Sequence, residues 1–470
     1  MQFLSYLFFI LPFVIAFMVA LGICTLSVLF INSATVAMGT MTAIFLIETA
    51  SMDQLGLNLG LYTYPPDMLV ILLMPAFFYR LVFLNKFNAI PRAWWALGAV
   101  WMGLFAWGMV SIGTLAGVDF RPFFYLWLGA AYLSTFEYDE AYAKRFRKFF
   151  IIMGGGVCAV AYYRWTMGAI DYQFYRELEM LDTTGTSFLR VVPSGAAFIV
   201  TCALLVVAYQ AVSERTNPVA WLLAVIFGIS IVAMQHRSVW MCAVAGFVAL
   251  ALALRQSRSK GAGSKLIGIV LAGAVLLILV VASGRFQGAV DSVEDQASRA
   301  TSTTSGTFVG RVMGWQALLK LWVDSYSPVT YLVGKPFGSG YDRYESDFGG
   351  KKVGFMPHNL YVQLLYRGGL IGLGAFLWGV GQGFKTLWVK LRHKDDAMAP
   401  VLFAMLVAQL VYYVPYGIDY DQMLLFGLLL GMITAERAKA KVAEQVTLVG
   451  KSVPHQLARG VGRIRMPLLK

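Results

Sequence analysis

Long apolar runs recur along almost the whole chain, and they constrain the fold more than any other feature. The runs have about 17–25 residues, which is the length that crosses a bilayer as a helix. Of the 470 residues, 59% are hydrophobic and only 13% are charged. A water-soluble core of this size could not bury so much apolar surface. The sequence therefore predicts an all-α polytopic membrane protein whose apolar surface mostly faces lipid.

Eleven spans are predicted from residue 67 onward, and the N-terminal residues are expected to bring the total to about twelve. The first fifty residues carry one charged side chain, Glu48, and fit one, two or three crossings. The first run starts at Phe3 and has neither a preceding basic region nor a small-residue cleavage site, so we expect a retained membrane helix. The predicted spans are 67–84, 93–114, 121–136, 147–167, 191–212, 219–233, 237–254, 264–283, 358–384, 399–416 and 420–436.

Positive charges predict the orientation of these spans. Lysine and arginine cluster in alternate loops, near residues 86–92, 144–148, 215, 255–265 and 385–394. The positive-inside rule assigns those loops to the cytoplasm. The basic tail at 437–470 is then also cytoplasmic, beside anionic lipid. Because the net charge of +13 is explained by topology, we expect no nucleic-acid partner.

The chain divides into four predicted parts: transmembrane helices over 1–283 with a smaller periplasmic loop near 168–190, a large periplasmic loop over 284–357, transmembrane helices over 358–436, and the basic tail over 437–470.

Within the large loop, GRVMGWQALLKLW has the spacing of a short amphipathic helix, and GKPFGSG after it is typical of a glycine-rich turn. GKPFGSG lacks the Gly-Lys-Ser/Thr of a phosphate-binding P-loop. We therefore expect no nucleotide cofactor.

Cysteine usage gives no sign of redox or metal chemistry. All four cysteines lie in apolar runs without metal-ligand spacing, which is typical of small core residues. They are Cys24, Cys158, Cys202 and Cys242.

The segment that opens the span after the large loop carries the most specific motif. His358 and Asn359 follow a proline, and Arg367 with several glycines follows on the same predicted helix. Upstream are RVVPSG beginning at Arg190, QHRSVW around Arg237, and Arg311 with Trp315 ahead of GKPFGSG. In this order, and with LGLYTYPPDMLVILL near the start, the chain resembles the O-antigen ligase and O-antigen polymerase superfamily, which includes exopolysaccharide polymerases and protein O-oligosaccharyltransferases.

The resemblance implies an inner-membrane glycosyltransferase that uses an undecaprenyl diphosphate-linked glycan on the periplasmic face. Arginine suits such a donor, because its planar fork binds phosphate oxygens bidentately and stays charged. Arg190, Arg237 and Arg311 are the predicted diphosphate-binding residues. An arginine at a membrane interface also often only reaches for lipid phosphate, so both interpretations stay open.

His358 is the predicted general base, implied by the resemblance and consistent with its place at a helix start. The helix dipole there disfavours protonation, so the imidazole stays neutral and able to accept a proton. A capping or packing histidine is the alternative. The resemblance further implies inversion at the anomeric carbon without a metal. Asn359 is expected to orient the histidine or cap the helix, Arg367 to bind glycan or diphosphate, and Tyr361 to stack on sugar.

Several alternatives stay open at this stage. The acceptor is either a growing O-antigen or exopolysaccharide repeat, which the sequence favours slightly, or lipid A core, or a protein. Membrane lipids and other polysaccharide-assembly proteins are further expected partners. Asp419 and Asp421 in a short turn are compatible with a divalent cation, although a solvated turn explains them as well. A lipid-linked glycan flippase is the alternative from another class, against which we find no internal repeat and few acids in the spans.

Overall fold

The computed structural model is helical throughout the residues it describes, apart from short turns and two-residue strands. The described residues are 21–51, 57–58, 62–167, 191–213, 217–234, 236–257, 266, 307–344, 352–354, 356–392, 396 and 398–435. The helices are α1 (Leu21–Asn32), α2 (Ala34–Ser51), α3 (Pro65–Val82), α4 (Arg92–Ile112), α5 (Leu115–Ser134), α6 (Glu140–Met167), α7 (Ser194–Ser213), α8 (Pro218–Ala233), α9 (Arg237–Gln256), α10 (Thr307–Val323), α11 (Pro328–Val333), α12 (Leu360–Arg392), α13 (Ala399–Tyr412) and α14 (Tyr420–Thr434). A 3-10 turn covers Phe87–Ala89, and two antiparallel pairs join β1 (Leu57–Asn58) to β2 (Tyr62–Thr63) and β3 (Arg343–Tyr344) to β4 (Lys352–Val353).

Seven helices of the described residues are long and apolar enough to cross a membrane, namely α2, α3, α4, α6, α7, α9 and α12. Four shorter apolar helices accompany them, α1, α8, α13 and α14. The prediction of a polytopic α-helical membrane protein is thereby confirmed. The total of twelve crossings stays a prediction.

Ten of the eleven predicted spans coincide with helices to within a few residues, except that α5 and α6 begin six or seven residues earlier and α12 ends eight residues later than predicted. The span predicted at 264–283 lies outside the described residues, apart from Leu266. In the large loop, the predicted amphipathic helix is α10, with Leu318 fully buried on its apolar face.

Several helices begin with a side-chain cap followed by proline, which explains why they start where they do. Asp67 accepts a hydrogen bond from the Tyr64 backbone N–H at 2.7 Å at the start of α3. Asn217 caps α8 through Ala220 N at 3.1 Å, and proline is the first residue of both helices, after Tyr64 in α3 and after Asn217 in α8. A cap satisfies a backbone donor that the helix leaves unpaired, and proline fits the first turn because it lacks that donor.

One end of the helix bundle gathers the residues of interest, and we refer to it as the His358 end. Helices α2 and α6 end there, whereas α3, α5, α7, α9, α12 and α14 begin there. Helix α14 packs closely along α5, because Gly427 lacks a side chain: a Cβ there would lie 2.2 Å from the Leu126 carbonyl oxygen. Small residues allow such close helix contact in membranes. This packing sets Tyr420 beside Arg121, with 3.4 Å between the hydroxyl and Nη2.

Helix α12 is interrupted at Gly369, whose φ of 58° and ψ of −159° are not helical. The end of α11 packs against this interruption, since a Cβ on Gly369 would lie 2.4 Å from the Leu332 carbonyl. From residue 370 to Arg392 the helix has 23 residues, or about 35 Å at 1.5 Å per residue, which suffices to cross a bilayer. The interruption therefore separates a membrane-length segment from the short segment that begins beside His358.

We expect Gly369→Ala to destabilise the protein by at least about 2 kcal/mol, because alanine is strained at this φ and ψ and its Cβ would collide with α11. The measurement is thermal unfolding of the purified protein in detergent. Gly374→Ala is the matched control, since that helical glycine has open space around its Cβ position. Equal unfolding temperatures for the two variants would contradict this explanation of the kink.

Candidate functional site

His358 precedes α12 in a backbone conformation that only few residue types tolerate. Its φ is 47°, in the left-handed region. The next residue, Asn359, is buried and its Oδ1 accepts a hydrogen bond from Val362 N at 2.9 Å. Leu360 N contacts the carbonyl oxygens of Tyr413 and Tyr416 at 3.1 and 3.2 Å. Asn359 therefore caps α12, one of the two roles predicted for it, and the segment that carries His358 is held against the end of α13.

Helix α10 is held against this segment by two side chains. Arg311 donates from Nη1 to the Pro415 carbonyl at 2.7 Å, and its guanidinium lies over the Tyr416 ring at 5.2 Å. Trp315, one helical turn later, donates from Nε1 to the Pro357 carbonyl at 2.5 Å. These contacts place Arg311 near enough to His358 to act on its charge.

The surroundings of His358 keep its imidazole neutral. Part of the side-chain surface of His358 is accessible to solvent. Protein atoms nevertheless surround much of the imidazole and reduce its hydration. This desolvation, together with the positive charges of Arg311 and Arg343, lowers the pKa of His358 to about 4. At neutral pH the ring is therefore unprotonated and able to act as a base. The helix-dipole effect stays a prediction, and of the two arginines that lower the pKa, the sequence reasoning missed Arg343.

A turn after α13 forms the other wall of the site. A Cβ on Gly417 would lie 3.2 Å from the His358 Cα. Gln363 is fully buried, and its Oε1 accepts a hydrogen bond from Ile418 N at 2.8 Å. Gln363 lies one turn after Asn359, on the same side of α12. This four-residue spacing is the feature of the sequence that could have placed Gln363 near the site. These contacts fix the 413–418 backbone beside His358.

Arg237 is the first residue of α9 and is half-buried. Its neighbour His236 is buried with Nε2 2.9 Å from the Val192 carbonyl. On the other side, Ser238 donates to the Tyr416 hydroxyl at 3.3 Å. Because Tyr416 also lies under Arg311, the start of α9 belongs to the same cluster of side chains as the start of α10.

Arg190 lies outside the described residues. The described chain resumes at Val191, whose carbonyl accepts a hydrogen bond from the buried guanidinium of Arg164. The same guanidinium bonds the carbonyls of Thr49 and Ala50 at 2.7 and 2.9 Å. Arg164 thus joins the ends of α2 and α6 to the start of α7. The sequence reasoning did not single it out, since a lone arginine near a helix end resembles many interfacial arginines.

Arg367 lies away from His358, and its geometry does not support the expected contact with glycan or diphosphate. Its side chain is 0% exposed and forms an ion pair of 2.6 Å with Asp119 of α5. Nη1 also donates to the Pro336 carbonyl at 2.9 Å and to Ser339 Oγ at 2.5 Å. Asp119 in turn accepts from Gly338 N at 2.9 Å. Arg367 therefore holds the GKPFGSG turn against α5 and α12.

Tyr361 is half-buried and donates from its hydroxyl to the Leu410 carbonyl at 2.8 Å. The hydroxyl is thus used within the protein, and any stacking on sugar would involve the ring alone.

Asp419 and Asp421 line a cavity of about 240 Å³ at the His358 end. Its walls come from α2, the start of α3, the start of α7 and the start of α14. Within the described part of the chain, no group of three or more histidine, cysteine or acidic side chains is placed to hold a metal ion. The metal alternative raised by the sequence therefore gains no ligand set from these residues.

Part of the chain matches the model of a known protein family. The family model Wzy_C, described as O-Antigen ligase, matches residues 222–377. The matched segment contains Arg237, Arg311, His358, Asn359, Tyr361 and Arg367, whereas Arg190 precedes it. No curated protein matches the chain. The match confirms the resemblance to the O-antigen ligase and polymerase superfamily, and it supports glycosyl transfer at a membrane.

Proposed function

With an O-antigen ligase domain at residues 222–377 as the premise, we propose that this protein transfers a glycan from a polyprenyl diphosphate to an acceptor sugar hydroxyl. The observation that carries the proposal is the environment of His358. A histidine kept neutral by desolvation and by two arginines combines a proton acceptor with positive charge in one site. This combination suits a reaction in which a hydroxyl loses a proton while a diphosphate departs.

The chemistry proceeds in one displacement. His358 accepts the proton of the acceptor hydroxyl as its oxygen forms a bond to the anomeric carbon of the donor sugar. The bond from that carbon to the diphosphate oxygen breaks, and the polyprenyl diphosphate leaves with the electron pair. Attack opposite the leaving group inverts the anomeric carbon. The guanidinium of Arg311, joined by Arg237 and Arg190, stabilises the charge that develops on the diphosphate, and no metal takes part.

Arg367 and Asn359 act as positioning residues in this scheme. Arg367 binds the GKPFGSG turn through Pro336 and Ser339, and Asn359 caps the helix that His358 precedes. Both fix the backbone on either side of the short segment of α12. Such support keeps a catalytic group within about 0.5 Å of its productive position.

We propose further that the product is a polymerised O-antigen or exopolysaccharide. The alternative is a ligase that transfers the glycan to lipid A core, which the description of the matched family favours. We place the protein in the bacterial inner membrane with the His358 end in the periplasm. Lys86, Lys144, Arg255 and Lys390 support this orientation, since they lie towards the opposite end of the bundle and mark the cytoplasm by the positive-inside rule.

The test is transfer by the purified full-length protein from a polyprenyl diphosphate-linked glycan, with EDTA present. Product in EDTA supports the metal-independent reaction. A ladder of increasing chain length selects a polymerase, whereas a single addition to lipid A core selects a ligase. Activity that EDTA abolishes and Mg²⁺ restores would contradict the proposed mechanism.

Arg311→Ala should raise the half-saturating donor concentration by about 10–100-fold, because a charge-assisted hydrogen bond to phosphate is lost. One of its five N–H donors is used by Pro415, which leaves others for a ligand. The measurement is initial rate against donor concentration. Lys320→Ala is the control, since that exposed cation lies on the same helix. An equal response of the two variants would remove Arg311 from the donor site.

A further inference from the structure

The cavity beside Asp419 lies next to the His358 site and shares a wall with it. Pro415 and Tyr416 contact Arg311, and Gly417 packs against His358. Two residues later, Asp419 begins the stretch that lines the cavity. One short turn between α13 and α14 therefore separates the site of the base from the cavity.

The polar groups of the cavity suit hydroxyl groups. Glu48, Asp419 and Asp421 contribute carboxylates to its walls. A carboxylate has about four lone-pair positions, so it accepts bonds from a ligand in addition to those it makes within the protein. Acceptors of this kind bind the O–H donors of a sugar.

Gln422 is an independent indication that the cavity takes a polar ligand. Its side chain is fully buried and lines the cavity. The amide nitrogen donates to the Gly195 carbonyl at 2.9 Å, which directs the amide oxygen away from that contact. Within the described residues, Oε1 has no hydrogen-bond partner. A buried acceptor without a partner is costly, and a ligand hydroxyl would satisfy it.

Two tyrosines add an aromatic surface to the same cavity. The rings of Tyr64 and Tyr420 stack with centroids 5.4 Å apart, and both residues line the cavity. Arg121 lies over the Tyr420 ring at 5.0 Å and pairs with Asp67 at 3.0 Å. The arginine thus has its own carboxylate partner and supports the ring pair. Aromatic walls with a few convergent polar groups are typical of small-ligand sites.

Charge and size decide which part of the reactants the cavity fits. Three carboxylates repel a diphosphate, which the arginines on the other side of the turn attract. A volume of about 240 Å³ is below the ~300–1,000 Å³ of pockets for drug-sized ligands and fits about one sugar ring. We propose that the cavity binds the terminal sugar of the acceptor glycan as a neutral ring of hydroxyl groups. The proposal rests on the function proposed above and adds the acceptor site to it.

The test measures the acceptor and donor dependence of transfer separately, using the full-length protein in lipid nanodiscs. The donor is the polyprenyl diphosphate-linked glycan, and the acceptor probes are the same glycan released by mild acid and the lipid A core oligosaccharide. Asp421→Asn and Glu48→Gln remove one carboxylate each with little change in shape. Asp324→Asn is the matched control, since Asp324 is an exposed acid of the large loop outside the cavity.

We expect each cavity variant to raise the half-saturating acceptor concentration about tenfold, as the loss of one charge-assisted hydrogen bond implies, and to leave that of the donor unchanged. Asp324→Asn should change neither. If Glu48→Gln fails to fold in a thermal scan, Asp421→Asn decides, because Asp421 is only half-buried.

Three outcomes would overturn the acceptor site. In the first, the wild type is active and the cavity variants have the same half-saturating acceptor concentration as Asp324→Asn. That result would refute the acceptor site and leave the proposed function unaffected. Another is a change in donor dependence alone. The third is wild-type activity that requires Mg²⁺ and is lost in EDTA, which would make the carboxylates a cation site. Absence of transfer by the wild type with both acceptors would instead refute the proposed function itself.

Discussion

Replacing His358 should lower the rate of glycosyl transfer by about 10²–10⁴-fold, the usual contribution of a general base. The substitution removes the imidazole that desolvation and the charges of Arg311 and Arg343 keep neutral. Because φ at this position is 47°, His358→Ala also strains the backbone. Asparagine tolerates the left-handed region and is not a base, so His358→Asn separates the chemistry from the strain.

The dependence of kcat/KM on pH tests the same assignment, since it reports the pKa of the free enzyme. His358 acts as a base only when neutral, and its pKa is lowered to about 4. The rate should therefore be constant from about pH 5.5 upward, as far as this group is concerned, and fall tenfold per unit below pH 4. A histidine of ordinary pKa would lose about nine tenths of its neutral form at pH 5.5. Arg311→Ala should move the midpoint upward, because it removes a nearby positive charge.

Transfer that survives in both His358 variants, with unchanged product and unchanged acid limb, would show that another group accepts the proton. If that residual activity also disappeared in EDTA, Asp419 and Asp421 would become the next residues to replace. Thermal unfolding of each variant shows whether a lost rate reflects a lost fold.

Arg367→Met should destabilise the protein by about 3 kcal/mol, a typical cost of removing one member of a buried ion pair. The guanidinium is 0% exposed and Asp119 is 17% exposed, so the carboxylate would be left largely without water or its partner. The hydrogen bonds to Pro336 and Ser339 would be lost as well. The GKPFGSG turn should then detach from α12, and activity should fall together with stability.

The measurement is thermal unfolding in detergent, with Lys385→Met as the matched control, since Lys385 is an exposed cation on the same helix. The double variant Arg367→Met with Asp119→Asn should be more stable than the sum of the single effects implies, because no unpaired charge remains. A normal unfolding temperature for Arg367→Met with a raised donor requirement would instead return Arg367 to the donor site.

The helices were predictable because their signals are local. Apolar length alone marked ten spans that the structure contains as helices. Their starts follow from a cap and proline at Tyr64–Pro65 and Asn217–Pro218. The role of Asn359 as a cap was also within reach, since a capping bond spans only three residues.

The site was only partly predictable, for a physical reason. His358 and Arg311 could be named from the order of motifs, whereas Arg343 and the 413–418 turn approach His358 only after α10 and α13 have packed. Arginine is a residue type that often binds anionic ligands, which made Arg367 a candidate. Its ion pair with Asp119, which is distant in sequence, instead gives it a structural role.

The sequence by itself determined that this chain lies in a membrane as helices, because hydrocarbon requires about twenty apolar residues per crossing and every backbone group paired within its own helix. Only the tertiary structure decided which polar side chains face one another. It placed arginines around His358 and carboxylates behind the same turn. Those pairings depend on how helices distant in sequence approach each other, and no local pattern encodes that approach.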